Sequence, residues 1–566
     1  MLDFFPPYLF LILGGLILPL LPKSNPSLRA GFSLLLPIFC AGMIWELPMG
    51  VHGVVNLAGW ELTLLRVDKL SVIFGLVFSL AAFLSMLYAW HVRDIQQQMA
   101  APLYAGSAIG AVFAGDLITL FIFWEGTAIT SVFLIWARRT QGAFYTGLRY
   151  LVIQVASGVL LLGGVALLYR DTGSIAFEAM TLGSLATWMI FLAFGIKCAF
   201  PLLHNWLQDA YPAATVTGTV ILSSFTTKLA VYALARGFPG TEILIYIGAV
   251  MTLFPIFYAV IENDLRRVLA YSLNNQLGFM VVGVGIGTEL SLNGTAAHAF
   301  AHILYKSLLF MSVGAVLFRT GTAKGSELGG LYKTMPLTMI FCVIGAASIS
   351  AFPLFSGFVT KSLILSDAAH EGYYIVWGIL LFASAGVFHH SGIKIPYFAF
   401  FAHDSGKRPK EAPTHMLLAM GITAALCILI GIFPEPLYAL LPYDVSYVPY
   451  TTTHVVTQLQ LLFFSALAFT VLMRTGIYPP ELKSVNLDTD WTYRKFLPNV
   501  LTRVTAIMDG VWQFATYFTG RRVSNIISGL YRSHGPEGRM ARVWPTGSMV
   551  LWIAILLVAT LVANYV

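Results

Sequence analysis

Seven ionisable side chains stand in stretches otherwise too apolar to hold them. Glu125 lies in Leu117-Ile-Thr-Leu-Phe-Ile-Phe-Trp-Glu125-Gly-Thr, with no cation nearby in sequence. Lys197 lies in Phe194-Gly-Ile-Lys197-Cys-Ala-Phe-Pro201, and Lys228 in Ser223-Ser-Phe-Thr-Thr-Lys228-Leu-Ala-Val-Tyr232. Lys394 lies in Gly392-Ile-Lys394-Ile-Pro396, directly after His389 and His390. His298, His302 and Lys306 are spaced four apart, which stacks them on one helix face. A carboxylate alone in an apolar setting takes up a proton, and a buried lysine gives one up unless a carboxylate stands near. Histidine changes charge near neutral pH. One acid, four lysines and several histidines in apolar helices therefore have the chemistry of a proton relay, which a channel for neutral solutes does not need.

Other readings apply at single positions. A lysine near a helix end can extend its ammonium to the interface, which is the alternative for Lys197. Two histidines at i and i+4 can hold zinc, but no third ligand follows in sequence, and Lys306 on the same face repels a cation, so no metal is expected. Asn293-Gly-Thr295 matches a glycosylation sequon, but it adjoins the histidine face.

The elements that carry these residues are set by composition. Of 566 residues, 58% are hydrophobic and only 10% charged, against about 25% charged in soluble domains. Apolar runs near the roughly 20 residues that cross a bilayer recur from 5–21 to 546–565. The first run has no basic flank, only Asp3, so it reads as a span and not as a cleaved leader. The chain is expected to be an all-α polytopic membrane protein. Pro201 and Pro212 interrupt one apolar region, and Pro353 with Gly357 interrupts another. Paired broken helices point to an ion path. Residues 46–66 contain Gly50, Gly53 and Gly59 and read as a small extramembrane hairpin.

Lys23, Arg29, His91, Arg93, Arg138 and Arg139 follow alternate spans, placing the N-terminus outside. Residues 474–545 carry ten Lys and Arg against five Asp and Glu, as a cytoplasmic segment does. Within them, Val500 to Tyr531 has apolar residues at helical spacing, including Trp512, Phe514, Tyr517 and Phe518, and reads as an amphipathic helix. Cys40, Cys198, Cys342 and Cys427 stand singly in apolar runs, which offers no ligand set for iron–sulfur or haem. Gly283, Gly285 and Gly287 lack the preceding strand of a nucleotide loop. No cofactor is expected.

The ordered motifs resemble those of the antiporter-like subunits of respiratory complex I and the large subunits of Mrp-type cation/proton antiporters, over most of residues 60–400. They are Ile118–Glu125, Lys197 through His204-Asn-Trp206-Leu-Gln-Asp209, Thr227-Lys228 to Arg236, Asp264-Leu-Arg-Arg-Val-Leu-Ala-Tyr-Ser272, His298 to Phe310, and Ala351-Phe-Pro-Leu-Phe-Ser-Gly-Phe358 with Lys361. Gln208 and Thr215 depart from that pattern at a helix break, where the family usually has proline and Pro-Thr. The resemblance implies about fourteen core helices with two inverted repeats, each with a broken helix. It implies Glu125 and Lys197 as a coupling pair, Lys228, His298, His302 and Lys306 as the connecting relay, and Lys394 as the exit lysine.

It further implies helices over 1–95, a translocating core over 96–400, further spans over 401–475, and an amphipathic extension with a last span over 476–566. The extension, with Leu487, Asp488, Asp490, Trp491, Tyr493 and Arg494, resembles the longer, D-type branch of the Mrp subunits. The implied function is exchange of Na⁺ or another monovalent cation for H⁺ within a hetero-oligomer of the bacterial inner membrane, by a transporter and not an enzyme in its own right. The alternatives are a proton-pumping subunit of a complex I-like or hydrogenase-type complex, and a proton-driven coupling subunit for inorganic carbon uptake.

Overall fold

The computed structural model describes residues 5–22, 24–57, 59–478, 481–482, 486 and 488–565. Asp3, Lys23 and Leu487 lie outside the described residues. The chain divides into two compact units, Met1–Asn486 and Leu487–Val566.

The first unit opens with α1 (Pro7–Ile17) and α2 (Pro26–Glu46), then an antiparallel hairpin of β1 (Gly50–Leu57) and β2 (Trp60–Val67), where the sequence predicts one. Helices α3 (Lys69–Tyr88), α4 (Ile95–Phe113), α5 (Leu117–Trp136) and α6 (Gln141–Thr172) follow. Next come α7 (Leu185–Cys198), α8 (Asn205–Ala213), α9 (Val216–Ser224) and α10 (Thr226–Gly237). Then come α11 (Ile243–Ile261), α12 (Leu265–Ile286), α13 (Glu289–Thr320), α14 (Pro336–Ile349) and α15 (Ser356–His370). Helix α16 (Tyr374–Val387) continues through the short α17 (Lys394–Pro396), flanked by wider π turns at Phe388–Ile393 and Tyr397–Phe401. Helices α18 (Thr414–Ile432), α19 (Glu435–Tyr438) and α20 (Thr452–Arg474) complete the unit. The second unit holds α21 (Leu497–His534), a helix over the segment whose spacing predicts one, and α22 (Thr546–Tyr565).

Eleven helices among the described residues are long and apolar enough to cross a membrane, as the composition requires. The protein is therefore a multi-pass, all-α membrane protein.

Two stretches of the first unit repeat one another in detail. Asp116 caps α5, its carboxylate accepting from Ile118 N at 2.9 Å and Thr119 N at 2.7 Å. Asp264 caps α12 in the same way, accepting from Arg266 N at 2.8 Å. Each aspartate then forms an isolated β-bridge, Asp116 with Ala176 and Asp264 with Lys324. Leu117 N donates to Ile175 O and Leu265 N to Ala323 O, both at 2.9 Å. After each capped helix comes a 32-residue helix, α6 or α13, and then a 14-residue helix, α7 or α14. Each short helix ends at the same four residues, Ala199-Phe-Pro-Leu202 and Ala351-Phe-Pro-Leu354.

The reason for both breaks is local. Proline has no N–H and pushes the residue before it out of the helical region, so the helix stops ahead of Phe200 and Phe352. Ala199 and Leu202 adopt φ of 62° and 70°, and Ala351 and Leu354 adopt 56° and 74°. Such left-handed positions cost a non-glycine residue roughly 1–2 kcal/mol each and persist only where surrounding packing imposes them. Phe200 N reaches back to Gly195 O, and Phe352 N to Ala347 O, both at 3.0 Å. From α5 the chain crosses by α6, α7–α8, α9–α10 and α11 before α12. With these four crossings between them, α5 and α12 run in opposite directions, so the repeats are inverted.

A buried chain of basic side chains

Glu125 sits midway along α5, half-buried, with Oε1 facing α6 and, among the described residues, without a hydrogen-bond partner for that oxygen. Its contact there is Gly158, where a Cβ would come within 1.6 Å of Oε1. The glycine makes room for the carboxylate. Trp124, one residue earlier, is fixed by donating Nε1–H to Ser157 Oγ at 2.9 Å, while Ser157 Oγ donates to Ala193 O at 2.7 Å. This pins the indole between α5, α6 and α7.

Lys197 stands in the last turn of α7, fully buried. Its ammonium lies 4.4 Å from the centre of the Trp124 ring, within cation–π distance. It donates to Trp124 O and to Thr127 Oγ1, the latter at 3.0 Å. These partners bracket Glu125 in sequence, and Glu125 and Lys197 lie in each other's field. The structure thus brings together the two residues expected to act as a pair.

Lys228 lies one turn into α10, just past a kink at Phe225. The kink frees the Ser223 carbonyl, which accepts from Lys228 Nζ at 2.5 Å. On α13, His298 meets Thr360 Oγ1 at 3.2 Å and Tyr305 Oη at 3.4 Å, and Tyr305 donates onward to Gln276 Oε1 at 3.1 Å. The two histidine rings are 6.2 Å apart, on one face as the spacing predicts. Among the described residues, His302 Nδ1 and Nε2 and Lys306 Nζ are buried without a hydrogen-bond partner. Lys228 lies within the field of both His302 and Lys306. Among the described residues, no group of three or more His, Cys, Asp or Glu side chains is arranged to hold a metal ion.

Three further groups join this series. Lys361 on α15 is buried, lies 4.9 Å over the Phe279 ring, and donates to Ile349 O at 3.2 Å. Ile349 O is a carbonyl left free by the second helix break. Lys361 was legible only as the last residue of its motif. His390, buried in the first π stretch, meets Ser391 Oγ at 2.9 Å and lies in the field of Lys306, Lys361 and Lys394. Two adjacent histidines before Lys394 were its sole sequence signal. Lys394 donates to three carbonyls at the end of α11, Ala259 at 3.2 Å, Val260 at 2.6 Å and Glu262 at 2.7 Å. It also pairs with Glu481 at 2.9 Å. Nothing local in sequence marks Glu481.

Gly195-Ile-Lys197 and Gly392-Ile-Lys394 look alike in sequence, but their surroundings differ. Lys197 ends a helix two residues before a break, whereas Lys394 lies inside a helix that continues through π turns. The repeat runs instead through the two Ala-Phe-Pro-Leu breaks. Arg266 braces the first of these regions. It is buried and donates to Pro212 O, Tyr211 O and Ala214 O, each at 2.9 Å, at the end of α8. Those are orphan carbonyls of a helix C-terminus.

Inverted repeats, two broken helices and a buried polar axis define a class of polytopic membrane proteins in which charged groups line the bundle interior. Residues 114–388 match the family described as NADH:quinone oxidoreductase/Mrp antiporter, TM. The D-type subunit of a Na⁺/H⁺ antiporter from Alkalihalophilus pseudofirmus is 30% identical over 76% of this chain and 94% of its own length. The chain belongs to this family. Hydrogenase-4 component B of Escherichia coli is 27% identical over 65% of this chain, and the match spans 62% of that protein's length. Among solved structures, a chain of the Mrp complex from Dietzia sp. superposes with a TM-score of 0.69 at 21% identity, over 80% of this chain and 98% of its own. A chain of an archaeal membrane-bound sulfane sulfur reductase superposes with a TM-score of 0.71 at 21% identity, over 98% and 99%.

Proposed function

We propose that this chain is a proton-translocating subunit of a multi-subunit cation/proton antiporter in the bacterial inner membrane, exchanging Na⁺ or another monovalent cation for H⁺. The supporting observation is the series of buried basic side chains from the Glu125–Lys197 site through Lys228, His302, Lys306 and His390 to Lys394. Charged groups at this depth are expensive and mark ion paths. Neighbouring cations of one sign cannot all stay charged in a low-dielectric interior, so they titrate as a set. Protonation of Glu125 removes the counter-charge from Lys197, which then releases its proton. The altered field at Lys228 passes the change on to His302 and Lys306, whose unpartnered nitrogens suit transfer through internal water. The reverse order runs the relay backwards.

The test is cation-dependent pH change in inverted vesicles, with the chain expressed alone and with its genomic neighbours. Loss of Na⁺-dependent activity in Glu125→Ala and Lys197→Ala supports the reading. Full activity in both removes it. A second reading, a proton-pumping subunit of a redox-driven complex, is supported by the fold match to the archaeal respiratory chain over 98% of this protein. Co-purification with soluble electron-transfer subunits, without any cation response, would establish that reading instead.

A further inference from the structure

Tyr478, Glu481 and Asn486, which follow α20, lie against the end of the relay. Tyr478 N donates to Leu472 O at 3.0 Å, and the Tyr478 ring stacks on His389 at 5.4 Å and meets Phe469 at 5.3 Å. Asn486 Nδ2 donates to Ile261 O at 3.2 Å. The Glu481 side chain is only 6% exposed, and its Oε1 stands 2.9 Å from Lys394 Nζ. A Cβ on Gly325 would come 3.5 Å from Glu481 Oε2, so this glycine loop forms the wall behind the carboxylate. These residues follow the stretch matched by the family, 114–388.

The ion pair is not needed to satisfy Lys394. Its ammonium has three donors, and three carbonyls of α11 already accept from it. Nor is stability a sufficient reason, because removing two charges from water offsets most of a buried pair's attraction. What Glu481 adds is a second titratable group in direct contact with the last relay lysine. The other groups facing this site are Glu262, itself 3.6 Å from Arg267, with His389, His390 and the Tyr478 hydroxyl. Burial pushes the Glu481 carboxyl above the usual carboxylate range, with Lys394 opposing.

We propose that Glu481 is the proton-transfer residue through which Lys394 exchanges its proton with water at the surface beside the exposed Leu482. An Nζ–H bond of the Lys394 ammonium breaks and an O–H bond forms on Glu481, leaving a neutral amine and a neutral acid. The acid gives its proton to water and returns to carboxylate. The amine is then ready for a proton from the His390 side. Run in reverse, the same steps take a proton in. The inference rests on the relay reading above.

The test uses the assembled complex in inverted vesicles with Glu481→Gln, Glu481→Asp and Lys197→Ala. Glutamine keeps the shape but cannot carry the proton. Expected is a fall in transport of at least about tenfold for Glu481→Gln, and partial activity with a shifted pH profile for Glu481→Asp. In the unaltered complex, carbodiimide should modify Glu481 increasingly as pH falls, with matching loss of transport, mapped by mass spectrometry. Full transport and an unchanged pH profile in Glu481→Gln, while Lys197→Ala is inactive, overturn this role and leave the relay standing. Full transport in Lys197→Ala overturns the relay and this inference together. If Glu481→Gln does not assemble, modification of Glu481 without loss of transport overturns it.

Discussion

Gly158→Ala separates function from stability at the Glu125 site. The added Cβ would lie 1.6 Å from Glu125 Oε1 and 2.5 Å from its Cδ. Ordinary contact begins at 3.4 Å, so the oxygen must retreat by about 3.4 − 1.6, or ~1.8 Å, on contact distances within that same packing. The carboxylate ends a flexible side chain, so this movement is cheap for folding. Alanine in place of glycine inside α6 also gains roughly 0.5–1 kcal/mol of helix stability. The cost falls on the electrostatics. At an effective dielectric near 20, attraction between unit charges changes by about 1 kcal/mol when their separation changes between ~5 and ~7 Å. A displacement of this size takes the carboxylate off its native position and shifts the Glu125–Lys197 coupling by about 1 kcal/mol, roughly fivefold.

We expect Na⁺-dependent pH change in inverted vesicles to fall about fivefold or more, with an unfolding midpoint equal to or above that of the unaltered protein. Gly142→Ala, on the same helix with nothing within 4 Å of the new Cβ, is the control and should leave transport unchanged. If Gly158→Ala transports at the full rate, the placement of Glu125 against α6 does not govern coupling, and the reasoning fails.

Lys361→Ala should lower transport about tenfold or more while the complex still assembles; transport at the full rate would take Lys361 out of the relay. Gly357→Ala places a Cβ 1.9 Å from Ser348 O, a backbone atom with nowhere to move. It should destabilise the protein by about 1–3 kcal/mol, read as a lowered unfolding midpoint. His91, in the loop after α3, meets His415 at 2.9 Å, and burial with its cationic neighbours holds its pKa down at about 4. The folded state then binds fewer protons than the unfolded state between pH 6.5 and 4. Stability present above pH 6.5 is therefore lost as pH falls towards 4. His91→Gln should flatten that part of the midpoint-against-pH curve, and an unchanged slope would contradict the assignment.

Much of this protein was legible one residue at a time. A chain with 10% charged residues cannot cover a water-facing surface, so the membrane class follows from composition. Seven charges in apolar runs mark themselves by their cost. Proline breaks a helix through its own geometry, so Pro201 and Pro353 announce the interruptions. The i, i+4 spacing of His298, His302 and Lys306 needs nothing beyond one helix. Only the tertiary structure decided which charges meet. Trp124 and Thr127 receive Lys197 from about 70 residues away. Gly158 makes space for Glu125 across a helix interface, and Glu481 meets Lys394 from beyond the last helix of the first unit. Local sequence sets where a helix starts, stops and hides a charge. The partner of that charge depends on how distant helices pack, and no short-range pattern encodes it.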